Sequence, residues 1–202
     1  MVNASGAQDE GLLVAGLKRG DERAFEALVR HNQNKVYGLC LRLMGNPEEA
    51  EDLAQDVFLT VYRAIGKFRG ESRLSTWIYR ITRNHCLNRI KFLKRRAHQR
   101  KQSLDVTRQA DLSGQQLHRP VGSGSVRPDR LAEGKQLELL IQEQINELSE
   151  DHKELIVLRD LEQMSYEEIQ TITGLALGTI KSRLHRARVD LAQRLSPYLE
   201  ET

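Results

Sequence analysis

Residues 165–184 decide the fold, and they read Ser165-Tyr166-Glu167-Glu168-Ile169-Gln170-Thr171-Ile172-Thr173-Gly174-Leu175-Ala176-Leu177-Gly178-Thr179-Ile180-Lys181-Ser182-Arg183-Leu184. Ser165 and Glu168 have the spacing of a capping box, in which two residues satisfy each other's backbone N–H groups at the start of a helix. Gly174 follows this helix and can adopt the positive φ that ends it. A second helical pattern begins after a short turn. Helix, glycine turn and helix at this spacing predict a helix-turn-helix.

The second helix of this motif has two chemically different sides at about 100° per residue. One side is an apolar stripe of Ile180, Leu184, Ala187 and Leu191. The opposite side carries Lys181, Ser182, His185 and Arg186, flanked by Arg183 and Arg188. Arg and Lys can donate to guanine edges, and Ser can bind phosphates or bases. The pattern favours DNA reading over a solvated amphipathic helix that is basic by chance.

A helix predicted over residues 47–67 is acidic on one side. Its apolar side contains Ala50, Leu53, Ala54, Val57, Phe58, Val61 and Ile65. The other side contains Glu48, Asp52, Gln55 and Leu59, with Asp56 beside them. A leucine amid acids has two interpretations, a solvated charged face or a docking surface for a protein partner, and spacing alone does not choose between them.

A glycine-containing loop and a basic helix follow at residues 68–91, and Ser75 or Thr76 is expected to cap that helix. Trp77 is interpreted as a core residue, together with Ile78, Ile81 and Cys86. The outward side is expected to carry Arg80, Arg83, Asn84, Asn88 and Lys91. Polar and aromatic side chains beside a cationic track suit unstacked single-stranded bases, so this face is interpreted as a nucleic-acid surface.

Composition and charge fix the class of protein. The chain has 202 residues, a net charge of +3, 5% aromatics and no extended alternation of apolar and polar residues, so the predicted class is all-α. Residues 43–62 carry five acids and no Lys or Arg, whereas residues 72–101 carry ten Lys or Arg and no acid. Such segregation indicates two surfaces with different partners.

Cys40 and Cys86 are expected to be reduced packing residues. No signal peptide, membrane span or direct membrane insertion is predicted, which favours a cytoplasmic protein.

Three blocks together resemble the sigma subunit of bacterial RNA polymerase, in its extracytoplasmic-function (ECF) group within the sigma-70 family. The blocks are Glu51-Asp52-Leu53-Ala54-Gln55-Asp56-Val57-Phe58, then Phe68-Arg69-Gly70 with Ser75-Thr76-Trp77-Ile78-Tyr79-Arg80-Ile81 and Asn84, and finally Ser165-Tyr166-Glu167-Glu168-Ile169 with residues 178–188. The resemblance implies sigma domain 2 at residues 9–98 and sigma domain 4 at 130–197. The segment between them, 99–129, is rich in Gly and Ser and has no sustained apolar period, so it is predicted to be a flexible linker.

The resemblance also implies partners for each surface. Domain 2 would bind the β′ coiled coil of core RNA polymerase through Asp52, Gln55, Asp56 and Leu59. It would hold the −10 promoter element as a melted strand through Ser72, Arg73, Ser75, Arg80, Arg83, Asn84, Asn88, Arg89 and Lys91. Domain 4 would read duplex −35 DNA through Ser165, Tyr166, Thr179, Lys181, Ser182, Arg183, His185, Arg186 and Arg188. It would also meet the β flap, and an anti-sigma factor is an expected partner. No enzymatic activity, cofactor or metal is implied.

Two positions differ from the usual pattern of that family. Gln170 stands where a small residue normally lets the two helices of the motif approach, so its side chain must lie sideways. Leu148-Ser149 stands where the family often has Leu-Pro, so the start of the following helix is expected to be less fixed.

Other functions explain less of the sequence. A dimeric operator-binding repressor or activator would use the helix-turn-helix but leaves the acidic helix and the loop before Trp77 without a role. A recombinase would need a nucleophilic Ser or Tyr with arginines and acids, and no acidic metal site lies beside Ser75 and Tyr79 in the sequence. A protein that binds only other proteins is disfavoured by the two basic helices.

Overall fold

The computed structural model describes residues 4–107 and 130–199, and within these ranges it contains helices and turns but no strand. The helices there are α1 (Ala4–Lys18), α2 (Glu22–Met44), α3 (Pro47–Ala64), α4 (Leu74–Thr107), α5 (Arg130–Asn146), α6 (Glu150–Ile156), α7 (Tyr166–Thr173) and α8 (Leu177–Leu199). A 3-10 turn over Ile65–Lys67 follows α3, and a π-helical turn over Val157–Leu161 follows α6. The predicted all-α class is confirmed.

Local capping signals set the turns of the first unit, α1 to α4. The Asp21 carboxylate accepts a hydrogen bond from the Arg23 N–H at 2.9 Å and begins α2. Gly45 ends that helix with a φ of 69°. The Asn46 side chain then accepts from the Glu49 N–H at 3.0 Å, with Pro47 at the first position of α3. This two-residue turn packs α2 and α3 side by side.

The two sides of α3 lie as the sequence predicts. Its apolar side faces the core, where Ala50, Leu53, Val57 and Val61 are buried. Trp77 is also buried, 8% exposed, with its ring centroid 5.3 Å from that of Phe68. The interpretation of Trp77 as a packing residue is therefore confirmed.

Helix α4 differs from prediction at both ends. It begins at Leu74, so Ser75 and Thr76 lie inside the first turn and do not cap it, and the Leu74 N–H instead donates to the Glu10 carboxylate of α1 at 2.7 Å. The helix then continues to Thr107, beyond residue 98, because Lys, Arg and Gln favour helix and no Gly or Pro interrupts them. The remainder of the predicted linker, residues 108–129, lies outside the described residues.

The second unit, α5 to α8, contains the predicted helix-turn-helix. The Ser165 hydroxyl accepts from the Glu168 N–H at 3.1 Å, and the Ser165 N–H donates to the Glu168 carboxylate at 2.9 Å, which is the predicted capping box. Gly174 ends α7 with a φ of 73°. The inward stripe of α8 is buried at Ile180, Leu184 and Ala187.

Two departures from the usual family pattern are accommodated locally. Gln170 is exposed, so its side chain does not enter the contact between α7 and α8. The Ser149 hydroxyl accepts from the His152 N–H at 3.4 Å and caps α6, so the start of that helix is set by a side chain in place of a proline.

The two cysteines are free thiols in the core of the first unit. Cys40 and Cys86 are fully buried, with 3.8 Å between their Sγ atoms. The hydrogen bond to Cys40, together with burial, raises the pKa of the Cys86 thiol well above its ordinary value. The predicted role of both residues as packing groups is confirmed.

The two units contact each other, which the sequence did not predict. Helix α7 of the second unit packs against α4 of the first. Glu154 pairs with Arg83, and Glu162 pairs with Arg42 and accepts a hydrogen bond from the Tyr79 hydroxyl at 2.8 Å.

Among the described helices, none combines the length and the apolar character needed to cross a membrane. No group of three or more potential metal ligands is assembled in residues 4–107 and 130–199.

Replacement of Gly174 by alanine should lower the free energy of unfolding by about 1 kcal/mol, because only glycine adopts a positive φ without strain. The matched control is Gly178→Ala in the first turn of α8. A Cβ at either position meets no atom within 4 Å, so any difference comes from the backbone alone. Chemical denaturation followed by circular dichroism measures both. Equal effects of the two substitutions would contradict the conformational argument.

The Tyr79 phenol should make stability fall at high pH. Burial and the neighbouring Glu162 carboxylate raise the pKa of Tyr79 above its ordinary value. The unfolded chain then releases this proton first, so the free energy of unfolding decreases as the pH rises above about 10. Denaturation between pH 8 and 11 should show a shallower decrease in Tyr79→Phe than in the wild type. A wild-type slope in that variant would show that the phenol is not protected.

Candidate functional site

The exposed side of α8 is a continuous polar and cationic surface. Lys181, Ser182, His185 and Arg186 are all exposed, as predicted, and they lie opposite the buried stripe. Within the described residues, neither Lys181 nor Arg186 has an ion-pair partner, although the Lys181 Nζ lies 5.6 Å above the Tyr166 ring. The side chains are therefore free to donate to an anionic or base-edge acceptor.

Other residues predicted for this surface are engaged within the protein. Arg183 pairs with Asp151 at 2.8 Å, and Arg188 binds Asp160 through two hydrogen bonds of 3.0 and 2.5 Å. The hydrogen bond to Asp160 raises the pKa of Arg188. These pairs tie α8 to α6 and to the π-helical turn. The structure thus gives both arginines a positioning role in the free chain.

The start of α7 supports the same surface. Ser165 is occupied by its capping box. The centroid of the Tyr166 ring is 4.8 Å from the guanidinium carbon of Arg159 and 5.6 Å from the Lys181 Nζ. Thr179 is half-buried, and its carbonyl accepts from the Ser182 hydroxyl at 3.1 Å. These residues shape the edge of the surface and present fewer free donors than α8 itself.

A cleft of about 460 Å³ opens beside the glycine loop of the first unit. Gly70 adopts a φ of 76°, which turns the chain around the opening. The lining is formed by Lys67, Phe68, Arg69, Glu71, Ser72, Trp77 and Arg80, with Thr171 of α7 at the same cleft. Three cations, one acid and two mostly buried aromatic rings line the cleft, and this net positive charge suits a group with an anionic backbone such as a nucleotide. Sequence reasoning did not identify Lys67, Phe68 and Arg69 as lining residues, although they directly precede Gly70 in the sequence.

Helix α4 continues this cleft as a polar track. Arg80, Asn84, Asn88 and Lys91 are exposed at spacings of three and four residues, which places them on one side of the helix. Arg73 is exposed at the loop, where the Ser72 hydroxyl donates to its carbonyl at 3.3 Å. Ser75 is half-buried and lines a separate small cleft with Tyr79 and Glu162.

Two predicted arginines of α4 are not free. Arg83 is held by Glu154 of the second unit, and Arg89 pairs with Glu49 of α3 at 2.5 Å. The hydrogen bond to Glu49 raises the pKa of Arg89, and the charges of Asp52 and Asp56 act in the same direction. The polar track of α4 therefore adjoins the acidic side of α3.

The acidic side of α3 is open to solvent. Asp52, Gln55 and Asp56 are exposed, and Leu59 among them is 53% exposed. Tyr62, one turn further on, is 51% exposed while its ring meets Phe25 edge-on at 5.0 Å. Tyr62 was missed by sequence reasoning, although it lies three residues beyond Leu59. Exposed apolar groups next to acids have the character of a protein-docking surface.

Comparisons with known proteins agree with this arrangement. Residues 28–96 match the family described as Sigma-70 region 2, and residues 138–191 match Sigma-70 region 4. The chain is 36% identical over 191 residues to RNA polymerase sigma-H factor of Pseudomonas aeruginosa, which covers 94% of this chain and 95% of that protein. It is 33% identical over 182 residues to the ECF RNA polymerase sigma factor SigW of Bacillus subtilis, covering 89% and 92%.

A solved structure has the same fold. The sigma factor RpoE of Bartonella quintana, crystallised with the anti-sigma factor NepR, superposes with a TM-score of 0.60 at 26% identity and covers 85% of this chain and 96% of that one. The sequence identities and their extent, together with the two matched regions, settle the family. The chain belongs to the ECF group of RNA polymerase sigma factors and directs transcription initiation.

Proposed function

We propose that the surfaces described above divide promoter recognition between two domains, sigma domain 2 at residues 9–98 and sigma domain 4 at 130–197, joined by a linker at 99–129. The observation that carries the proposal is the exposed, unpaired Lys181 and Arg186 on one helix and the exposed Arg80 and Asn84 track on another. Two cationic surfaces on helices that are far apart in the sequence suit two separate stretches of DNA.

Core polymerase binds the acidic side of α3 in this proposal. Asp52, Gln55 and Asp56 supply charge and hydrogen-bond acceptors, and exposed Leu59 supplies the apolar anchor that a stable interface needs. The resemblance to other sigma factors assigns the β′ coiled coil to this surface. Tyr62 extends the same anchor by one helical turn.

The −10 element is held as a melted strand by the glycine loop and α4. The cleft beside Gly70 is large enough for an extruded base, with the Phe68 and Trp77 pair as its wall. Ser72, Arg73 and Arg80 lie at its rim, and Asn84, Asn88 and Lys91 follow the strand along the helix. Binding of an extruded base offsets the unstacking free energy, a few kcal/mol per base, so this chain melts DNA without hydrolysis.

The −35 element is read as duplex by α8. Lys181, Ser182, His185 and Arg186 enter the major groove, while Arg183 and Arg188 orient the helix through their acidic partners. Ser165 and Tyr166 at the start of α7 lie where phosphates flank that groove. The same domain meets the β flap, so polymerase holds the two domains at a fixed separation and their binding free energies combine through effective concentration.

The proposed location is the cytoplasm, where polymerase and promoter DNA are found. An anti-sigma factor is proposed as a further partner, supported by the similar fold of RpoE in its complex with NepR. The chain acts as a binding subunit and performs no covalent step.

Transcription reconstituted from purified core polymerase and this chain tests the proposal. Sequencing of the 5′ ends of transcripts from fragmented genomic DNA should give discrete starts that share two upstream elements at a constant separation. A repressor, a recombinase or a protein-only adaptor would give no new starts. Starts that share no upstream elements would contradict the assignment of both surfaces.

The double substitution Asp52→Ala with Leu59→Ala should weaken binding to core polymerase by roughly tenfold or more, because interface anchors are each worth about 1–3 kcal/mol. Both side chains are exposed, so the fold should be unchanged. Glu143→Ala, an exposed acid on α5 of the second unit, is the control. Affinity is measured by titration of labelled protein with core enzyme, and equal affinity of all three proteins would exclude this surface.

Replacement of Arg186 by alanine should weaken binding to the −35 duplex by about 1–3 kcal/mol. It should also reduce the slope of log affinity against log salt concentration by about one. Arg194→Ala removes the same charge from the far end of α8, where Arg194 is paired with Asp190, and serves as control. Holoenzyme binding to the mapped promoter across a salt series gives both quantities. If Arg186→Ala and Arg194→Ala bind the promoter with the same affinity and the same salt slope, the groove assignment is wrong.

A further inference from the structure

We infer that Glu10 of α1 is a positioning residue for capture of a −10 base. Its carboxylate fixes the start of α4, and with it the glycine loop over residues 68–73 that borders the cleft beside Gly70. This inference rests on the proposed function of the loop and α4 as the −10 surface. It makes α1, which carries no residue assigned to DNA, a supporting part of that site.

A hydrogen bond from α1 closes the N-terminal end of α4. Leu74 is the first residue of α4, and its N–H belongs to the first turn, whose N–H groups have no acceptor within the helix. The Glu10 carboxylate accepts this N–H at 2.7 Å, although the two residues are 64 positions apart in the sequence. Because α4 has no acid in its own first turn, Glu10 also supplies the negative charge that a helix N-terminus favours.

The other end of the glycine loop contacts the same helix. The 3-10 turn Ile65–Lys67 directly precedes the loop and packs against α1. Helix α1 is itself anchored, since Leu17 is buried and Leu13 and Val14 pack against the hydrophobic core. The loop is therefore held between two points of one fixed helix.

The contacts within the loop are weak by comparison. The Arg69 and Glu71 side chains are 84% and 79% exposed and lie 3.9 Å apart, and such an exposed pair contributes little. The Ser72 hydroxyl donates to the Arg73 carbonyl at 3.3 Å, which is long for a hydroxyl hydrogen bond. The position of the loop thus depends on how its ends are held.

That position decides the shape of the cleft. Phe68, Arg69 and Ser72 line the cleft from the loop, whereas Trp77 and Arg80 line it from α4. The first residue of α4 joins these two parts of the lining, so the bond to α1 fixes one part relative to the other. A site already held in its binding geometry loses less conformational entropy when the ligand arrives, so the bond should increase affinity for a captured base.

The test compares holoenzymes assembled from core polymerase and the full chain or its variants. Glu10→Ala and Glu10→Leu both remove the acceptor, and the second keeps a side chain of similar size. Glu10→Gln keeps an acceptor oxygen without the charge. The matched control is Asp21→Ala, which removes the cap of α2 in the same unit, where the carboxylate accepts from the Arg23 N–H at 2.9 Å. Asp21 does not line the cleft.

The probes are single-stranded oligonucleotides that carry the non-template −10 element of a promoter mapped by the transcription experiment. One strand is intact, and each of the others lacks one base of the element. Fluorescence anisotropy gives the affinity of each holoenzyme for each strand. The ratio of affinities for the intact strand and the strand without the captured base measures base capture. Simple loss of stability leaves this ratio unchanged, because it lowers the competent fraction equally for both strands.

Glu10→Ala and Glu10→Leu should lower the ratio about fivefold, the factor that corresponds to one capping hydrogen bond. Glu10→Gln should keep the ratio within about twofold of wild type, since amide oxygens cap helices about as well as carboxylates. Asp21→Ala should lower the midpoint of chemical denaturation to a similar degree as Glu10→Ala but leave the ratio unchanged.

Four results would overturn the inference. A wild-type ratio in Glu10→Ala and Glu10→Leu would show that Glu10 does not position the loop, while the proposed −10 function would stand. An equal decrease in Asp21→Ala would assign the effect to general destabilisation. A ratio in Glu10→Gln as low as in Glu10→Ala would exclude the hydrogen bond as the cause. If the wild-type holoenzyme binds the intact strand and every base-free strand equally, the cleft captures no base and both proposals fail.

Discussion

Apolar burial along one side of each amphipathic helix is the constraint on which every surface of this protein depends. Val57 and Val61 fix the rotation of α3, and Ile180 and Leu184 fix that of α8. Burial of such side chains contributes roughly 1.5–3 kcal/mol each, far more than an exposed charge contributes to stability. The rotation of each helix is therefore set by apolar burial and not by its charged residues. They point outward because their neighbours three and four positions away are held inward.

Sequence reasoning works well where information is local. The capping box at Ser165, the left-handed Gly174 and the two sides of α3 depend on residues within one or two helical turns, and each was predicted. The end of α4 was not, because residues 99–102 favour helix, no Gly or Pro occurs up to residue 107, and the change in composition comes later. The predicted caps at Ser75 and Thr76 failed because Glu10, distant in sequence, takes that role.

Pairing between distant residues explains the remaining gaps. Arg183 and Arg188 have the spacing of DNA-reading residues, yet Asp151 and Asp160 hold them in the free chain. Arg83 likewise pairs with a carboxylate 71 positions away. A helical pattern shows that a side chain points outward but does not show what it meets there. Such partners become visible only when the two units are seen together.

The pair between Arg89 and Glu49 has a consequence for genetics. It bridges α4 and α3 at the point where the polar track of α4 adjoins the acidic side of α3, and the charges of Asp52 and Asp56 also act on Arg89. Any substitution at position 89 or 49 disturbs both neighbourhoods at once. On the proposed roles of these two surfaces, mutant alleles at positions 89 and 49 will weaken both promoter binding and polymerase binding. Suppressor substitutions will therefore occur in α3 as well as in α4.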